Sequence, residues 1–275
     1  MKKTLQNKLC EEVYSLREKL IKKISEGQLG VNEKKWLNGI VYVMGSKKYI
    51  ESNVDDLAWF QDNGLLGSNK IMDFGTGGGY IAHLASHITG KVVAYEYNGD
   101  WVGKEFDGGE YENAFGFMQK IVNEIDDKKV AFNFYKSLPL NEDNGSYDGV
   151  ILYAVVEHID SDVEEKVFKE LYRVLKPGGS LYIAKLPRRL SYQEFIARKL
   201  KMGSHINLFT RKKIKKLLKT YGFKTVRIEE SGLFFNHPNK IINLLYPFLS
   251  VLEFVLKYTP LAFFSHDIRI VAQKK

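Results

Sequence analysis

The sequence predicts an α/β protein whose largely parallel sheet is covered by helices on both faces. Two observations carry this expectation. From Lys70 onward, short apolar runs alternate with longer segments of helical periodicity. The runs are nearly continuous in apolar residues rather than alternating with polar ones, as expected for strands buried on both sides. A third observation marks the place where such a protein would work. The first run ends in "KIMDFGTGGGYIA", residues 70–82, with four glycines in five positions.

The elements follow in order. Between Thr4 and Ile24 the apolar residues Leu5, Leu9, Val13, Leu16, Leu20 and Ile24 recur every three or four positions, one face of an amphipathic helix. Asn32 to Ile50 reads as a second helical region with Trp36, Leu37, Ile40 and Val43 as its apolar side. Residues 1–69 are therefore expected to form an N-terminal helical cap. Strands are predicted at 70–75, 91–97, 130–136, 147–155, 180–186, 224–231 and 267–274. Helices are predicted at Gly79–Ile88, Asn113–Ile125, Val163–Leu175 and Arg211–Tyr221. The polar stretch FDGGEYENA (106–114) reads as a loop insertion.

Composition narrows the classes. With 275 residues, 44% hydrophobic and 27% charged, the chain has material for one large globular unit or one with an appendage. A net charge of +8 favours anionic partners: nucleotides, phosphorylated metabolites, acidic lipid or nucleic acid. A single cysteine, Cys10, excludes an internal disulfide and a cysteine-rich metal site. The start, MKKTLQNKLCEEVYSL, lacks an apolar stretch of secretory type, so a reducing, cytoplasmic location is expected.

Glycine weakens regular structure, so four of them need a reason. In open α/β sheets, ligands bind beyond the carboxyl ends of the strands. There, bare backbone allows a tight turn, close approach to a ligand and access to the free N–H groups of the next helix. A tight turn with no ligand would be served by one glycine. A dinucleotide fits poorly, because Asp73 at the strand end would repel an approaching pyrophosphate. An acid there suits a cationic or donor-rich ligand.

At these residues the chain resembles the class I S-adenosylmethionine-dependent methyltransferases (type 11/23-like). Asp73-Phe-Gly75-Thr-Gly77-Gly-Gly79 looks like their D-x-G-x-G-x-G motif. "VVAYEYN" ends in an acid, Glu96, as their second strand does. "SYDGVILYAVVEHI" resembles their fourth strand, "LYRVLKPGGSLYIAKLP" their approach to the fifth, and "HINLFTRKKIKKLLKTYGF" the later helix. The ordered set spans roughly Lys70 to Ser231. The resemblance implies a Rossmann-like seven-stranded sheet with an antiparallel last strand and a methyltransferase domain over residues 70–275. It implies that S-adenosyl-L-methionine is the cofactor, with Asp73, Gly75, Thr76, Gly77 and Gly79 at its aminoacyl end. Glu96, with Tyr97 beside it, would hold the ribose. The acid that the family often places after the third strand is missing from "FNFYKSLPL", which leaves Lys136, Ser137 and Leu138 at the adenine position.

Methyl transfer from a sulfonium requires alignment, exclusion of water and, for an oxygen or nitrogen acceptor, a base. His158, after the fourth strand, is the first catalytic candidate; Tyr153 in that strand is expected to line the cleft as a second catalytic candidate and a cofactor contact. His205 is a weaker candidate, and His237 and His266 receive no role. His83 and His87 lie one turn apart but lack a third ligand, so a solvated helix face, and no metal, is expected.

The segment NKIINLLYPFLSVLEFVLKYTPLAFF (239–264) is an apolar helical insertion before the last strand. A helix through Ile241–Lys257 carries its polar residues Asn243, Tyr246, Ser250, Glu253 and Lys257 in one narrow stripe, and Pro247 would kink it. Three roles are open: a lid over the acceptor cleft, a homodimer interface, or shallow insertion into a membrane on its inner face. The lid that also receives an apolar acceptor is the favoured expectation. RKKIKKLLK (211–219) reads as an outer helix with a solvated basic side. The expected activity is methyl transfer, at oxygen, to a small-molecule or lipid-linked acceptor, sugar-like or quinone-like. The alternatives are an RNA methyltransferase and a non-catalytic cofactor-binding protein of the same fold. Nucleic acid is not the expected partner, since no nucleic-acid module is visible. A nicotinamide-dependent oxidoreductase is disfavoured by Asp73.

Overall fold

The computed structural model describes residues 2–27, 29–65, 67–97, 108–125, 130–201, 205, 207–234 and 240–275. Three helices lead in: α1 (Lys2–Ser25), α2 (Val31–Val43) and α3 (Lys47–Phe60). Then follow β1 (Lys70–Phe74), α4 (Tyr80–Ser86), β2 (Lys91–Tyr97), α5 (Gly108–Ile125), β3 (Ala131–Tyr135), β4 (Tyr147–Tyr153), α6 (Glu164–Val174) and β5 (Leu175–Pro187). The chain ends with α7 (Tyr192–Lys199), α8 (Arg211–Thr220), β6 (Phe223–Ser231), α9 (Lys240–Leu256) and β7 (Asp267–Lys274).

The strands form one seven-stranded sheet in the order β3-β2-β1-β4-β5-β7-β6. β7 runs antiparallel to both β5 and β6, and the other pairings are parallel. The order reverses between β1 and β4, which opens a crevice beyond their carboxyl ends. β1 is central there: Asp73 sits beside Ala94 of β2 and Ile151 of β4.

The continuous apolar strands are explained by two cores, one on each face. In β1, Ile71 faces a cluster shared with α1–α5, and Met72 faces one built with α6 and α8. β4 divides likewise, Ile151 to the first and Val150 and Leu152 to the second. The first cluster runs without a break from Leu9, Val13, Leu16 and Leu20 of α1 through Trp59 and Phe60 of α3 to the sheet. The amphipathic stripe of α1 is thus spent on packing.

Four local expectations are corrected. The region Asn32–Ile50 is two helices, because Ser46 caps a new one: its Oγ accepts from the Tyr49 N–H at 3.1 Å. α5 begins at Gly108, inside the stretch read as a loop, of which residues 106 and 107 lie outside the described set. β5 takes in Lys176-Pro177-Gly178-Gly179, read before as an approach to the strand. His83 and His87 are not on a solvated face. α1 covers that side of α4, His83 is buried, and His87 Nδ1 lies 3.6 Å from Glu12 Oε1.

α9 is oriented polar side inward. Asn243 Oδ1 accepts from the Lys47 N–H at 3.1 Å and its Nδ2 donates to Gly45 O at 3.0 Å. Ser250 donates to Glu51 at 2.8 Å, Glu253 pairs with Lys48, and Glu253 also accepts from the Leu233 N–H at 2.7 Å. The apolar side faces outward, with Leu244 79%, Phe248 66% and Val251 66% exposed. A helix so apolar is ordinarily buried on several sides. Its polar stripe instead finds the partners on α3.

Candidate functional site

The loop after β1 is held from three directions. The N–H groups of Gly75 and Thr76 both donate to Tyr95 O, at 2.8 and 3.1 Å, fastening the loop to β2. The Gly77 N–H donates to Glu96 Oε2 at 2.5 Å, and Gly77 O accepts from Gln119 Nε2 of α5 at 2.7 Å. Two of the glycines are enforced by geometry. Gly75 (φ +78°) would set a Cβ 2.6 Å from Val155 Cγ2, and Gly79 (φ +83°) one 2.5 Å from the Phe132 ring. Gly79 also caps α4, whose N-terminus follows the loop.

Asp73 is 1% exposed and accepts from Thr76 Oγ1 at 2.7 Å. Burial pushes its carboxyl up to about 7; the Thr76 hydroxyl opposes this, and the nearby Glu96 carboxylate adds to it. A buried acid raised in this way suits a cationic ligand, whose charge would favour the ionised form. Glu96, also buried, closes β2 against the same loop. Tyr97 stands next to it, its ring 5.3 Å from Tyr135, which in turn lies 5.4 Å from Phe74. These rings make an aromatic wall on the β2–β3 side. Ser137 is exposed at its end, and Leu138 is half-buried against the second core.

Across the crevice, Tyr153 ends β4. The single proton of its hydroxyl is shared between Asn53 Oδ1 at 2.5 Å and Asp56 Oδ2 at 3.1 Å, both on α3. Asp56 is shared with Lys185 Nζ at 3.0 Å and Arg269 Nη1 at 3.3 Å. Burial, then the Asp56 charge, push the Tyr153 phenol well above its ordinary value, so it stays protonated at neutral pH. Its geometry fits a strut between α3 and the sheet better than a base. Ala154 and Lys185, at the ends of β4 and β5, hold φ near +55°, strained for residues with a Cβ.

His158 follows in a short turn, Val156–His158, with its ring exposed and its Nε2 3.9 Å from Glu157 Oε1. Its ring lies 6.0 Å from that of His205, which lies 6.1 Å from that of His266. Three histidines from distant stretches thus meet at the carboxyl end of β4 and β5, although the sequence offered no reason to join them. The sequence reading passes over Glu157, which is 4% exposed and which burial pushes up to about 8. Gln119, Tyr135, Asn53 and Asp56 were missed as well. Each lies on an element whose apolar pattern explains it as packing.

The residues fit S-adenosylmethionine: a cradle that a Cβ would fill at Gly75 and Gly79, main chain facing the crevice, and buried acids ending adjacent strands. The fold and this site define a nucleotide-type α/β crevice with acids in place of a phosphate cradle. The family described as Methyltransferase domain matches residues 42–228, and the chain belongs to it. It is an S-adenosylmethionine-dependent methyltransferase. Solved structures share the fold. A candidate methyltransferase from Bacillus halodurans superposes with a TM-score of 0.55 at 17% identity, over 80% of this chain and 99% of that one. An S-adenosylmethionine-dependent methyltransferase from Methanosarcina mazei gives 0.51 at 18%, over 78% and 96%. The magnesium protoporphyrin IX methyltransferase of Synechocystis, with bound S-adenosylhomocysteine, gives 0.53 at 14%, over 93% of each chain. No curated protein matches the sequence.

Proposed function

We propose that this enzyme methylates an oxygen of a lipid-linked acceptor that it meets at a membrane surface. The observation that carries the reading is α9, a helix docked through its polar stripe with its apolar side outward. Ile241, Leu244, Phe248, Val251 and Phe254 are all exposed on it, and Leu261, Phe263 and Phe264 continue the apolar surface. Phe195 and Ile196 of α7, and Leu200 just after it, are exposed as well. The two helices are linked: Tyr192 of α7 donates to Leu233 O at 2.6 Å, and the Leu233 N–H donates to Glu253 of α9. An exposed apolar surface of this extent is costly in water unless a partner covers it.

A lipid surface suits it better than a second copy because cations rim it. Lys257 Nζ lies 4.7 Å from the Phe254 ring and 5.0 Å from Tyr258, and Lys199 Nζ lies 5.6 Å from Phe195. Aromatic and basic residues paired in this way match the boundary between acyl chains and anionic headgroups. Arg189, Arg198 and Lys213 line an adjoining cleft that suits a phosphorylated headgroup. Among the described residues no helix is long and apolar enough to cross a membrane.

In this reading Asp73 meets the cofactor ammonium and the Gly75–Gly79 main chain meets its carboxylate. Glu96 accepts from the ribose, and Tyr97, Ser137 and Leu138 flank the adenine. S-adenosylmethionine, when bound, supplies a methyl group already activated on a sulfonium. The chain supplies alignment and dryness: Tyr153 holds α3 over the crevice, and His158 meets the acceptor oxygen. The test supplies methyl-labelled S-adenosylmethionine with membrane lipid extract, delipidated soluble extract or total RNA. Label entering the organic phase supports the reading. Label confined to RNA or to water-soluble products overturns it.

A further inference from the structure

We propose that Glu157, His158 and His205 hold a divalent transition-metal ion, Zn²⁺ by their chemistry, at the acceptor side of the crevice. The first observation is Glu157 itself. Its side chain is almost wholly enclosed, and among the described residues neither carboxylate oxygen has a hydrogen-bond partner. Buried carboxylates are ordinarily paired, since stripping one of water without compensation costs several kcal/mol or more. Among the described residues no lysine or arginine pairs with it, and the His158 and His205 imidazoles each place a nitrogen within 4.8 Å of it.

The second observation is convergence. One donor atom from each of Glu157, His158 and His205 lies within 4.8 Å of the other two. Tetrahedral Zn²⁺ holds nitrogen and oxygen ligands at roughly 2.0–2.2 Å, so its ligand atoms sit somewhat closer together than this. Small side-chain rotations close the difference, and the His158 side chain is exposed.

The third observation is how His205 is held. Its Nδ1 lies 2.6 Å from Glu194 Oε1, and Glu194 is buried. A carboxylate there fixes the proton on Nδ1 and leaves Nε2 as the ring nitrogen with a lone pair. Metal-bound histidines are oriented and made more basic by this same arrangement. A purely structural cluster would explain the Glu194–His205 bond, but it leaves Glu157 unanswered. Glu194, His205 and His266 form a second convergent trio, but their closest pair is already hydrogen-bonded at 2.6 Å. That is too near for both atoms to ligate one ion.

Two imidazoles and one carboxylate are the donor set of an open Zn²⁺ site, with a position left for an outside oxygen. The site adjoins the methyl-transfer crevice through Val155, which touches the glycine loop at Gly75. An acceptor hydroxyl in the open position would lose its proton to solvent at lower pH than a free one. This last step rests on the oxygen-acceptor reading above; ion binding does not. His158 then acts on the acceptor through the ion rather than by taking its proton.

The test uses the full chain freed of metal by a chelator, titrated with Co²⁺ (read by its visible absorption) and with Zn²⁺ by calorimetry. No lipid or acceptor is present, so a failure of the lipid reading leaves the result untouched. One equivalent should bind. Glu157→Gln and His158→Ala should weaken binding at least tenfold, and Glu194→Gln should weaken it 10- to 100-fold, while S-adenosylhomocysteine binding shows that each variant is folded. Absence of stoichiometric binding to the wild type overturns the proposal. So does binding that Glu157→Gln leaves unchanged, or that His266→Ala abolishes while Glu157→Gln does not.

Discussion

Glu96 accepts a hydrogen bond from the Gly77 N–H at 2.5 Å, which joins the end of β2 to the middle of the glycine loop. One carboxylate therefore shapes the loop and, in the function proposed above, also accepts from the cofactor ribose. Glu96→Ala should weaken S-adenosylhomocysteine binding at least tenfold, about 1.4 kcal/mol, by calorimetric titration. Glu96→Gln retains an acceptor and should lose less. Equal affinity in wild type and Glu96→Ala would remove Glu96 from the cofactor site.

Asp73 ties stability to pH in the less usual direction. Its carboxyl is raised from the ordinary 3.8 to about 7. Below pH 4 the folded and unfolded chains both carry the proton, and nothing is lost. Between pH 4 and 7 the unfolded chain releases it while the folded chain keeps it, so stability falls as pH rises. The loss levels off above pH 7 at about 4 kcal/mol. Asp73→Asn should therefore be no more stable than wild type at pH 4 and clearly more stable at pH 8, by urea denaturation without cofactor. Cofactor binding should have the opposite sign. If the ligand ammonium selects the ionised form, wild-type affinity rises from pH 6 to 8 while that of Asp73→Asn stays flat and weak.

Gly79 combines a positive φ with the Phe132 ring where a Cβ would be. Gly79→Ala must shift that ring as well as adopt a strained backbone, at a cost of about 1–3 kcal/mol. Gly77 also has a positive φ, but its Cβ would come no nearer than 3.7 Å to Phe115. Gly77→Ala should cost less stability, so the order of the two melting temperatures checks the argument.

What the sequence revealed, and what it concealed, follows from the range of each signal. The strands were legible because burial on both faces writes a local apolar run. That Asp73, the glycines and Glu96 come together was legible because the loop and both acids lie at strand ends in one short stretch. The helical break at Ser46 was a local cap signal that the apolar periodicity around it obscured. The meeting of His158, His205 and His266 depends on Glu194 and Ser191, at the start of α7, bonding to His205 and His266, and no local pattern announces that. The direction in which α9 faces was equally hidden. A narrow polar stripe fits a surface helix or one docked backwards, and only the partners on α3 decide between them.

Tyr153 is the strut between β4 and α3, and its hydroxyl is the test of that role. Tyr153→Phe leaves Asn53 and Asp56 each without one hydrogen bond, while Lys185 and Arg269 still face Asp56. Loss of a buried hydrogen bond of this kind costs about 1–3 kcal/mol. The variant should melt lower and exchange its α3 amides faster, with cofactor affinity changed less than twofold. A steep loss of turnover at unchanged stability would instead place the hydroxyl in the chemistry.

The outward face of α9 gives the last prediction. Phe248 and Val251 project from the docked helix, and neither supports the fold from within. Replacing both with glutamate should leave the melting temperature and cofactor affinity nearly unchanged, since the polar stripe that anchors α9 is intact. Wild-type protein should float with vesicles containing anionic lipid and stay behind with neutral ones at physiological salt, because the rim of the surface is basic. The double variant should remain at the bottom of the gradient in both. A wild type that ignores vesicles but changes from dimer to monomer when Phe248 and Val251 are replaced would assign the face to a second copy of the chain instead.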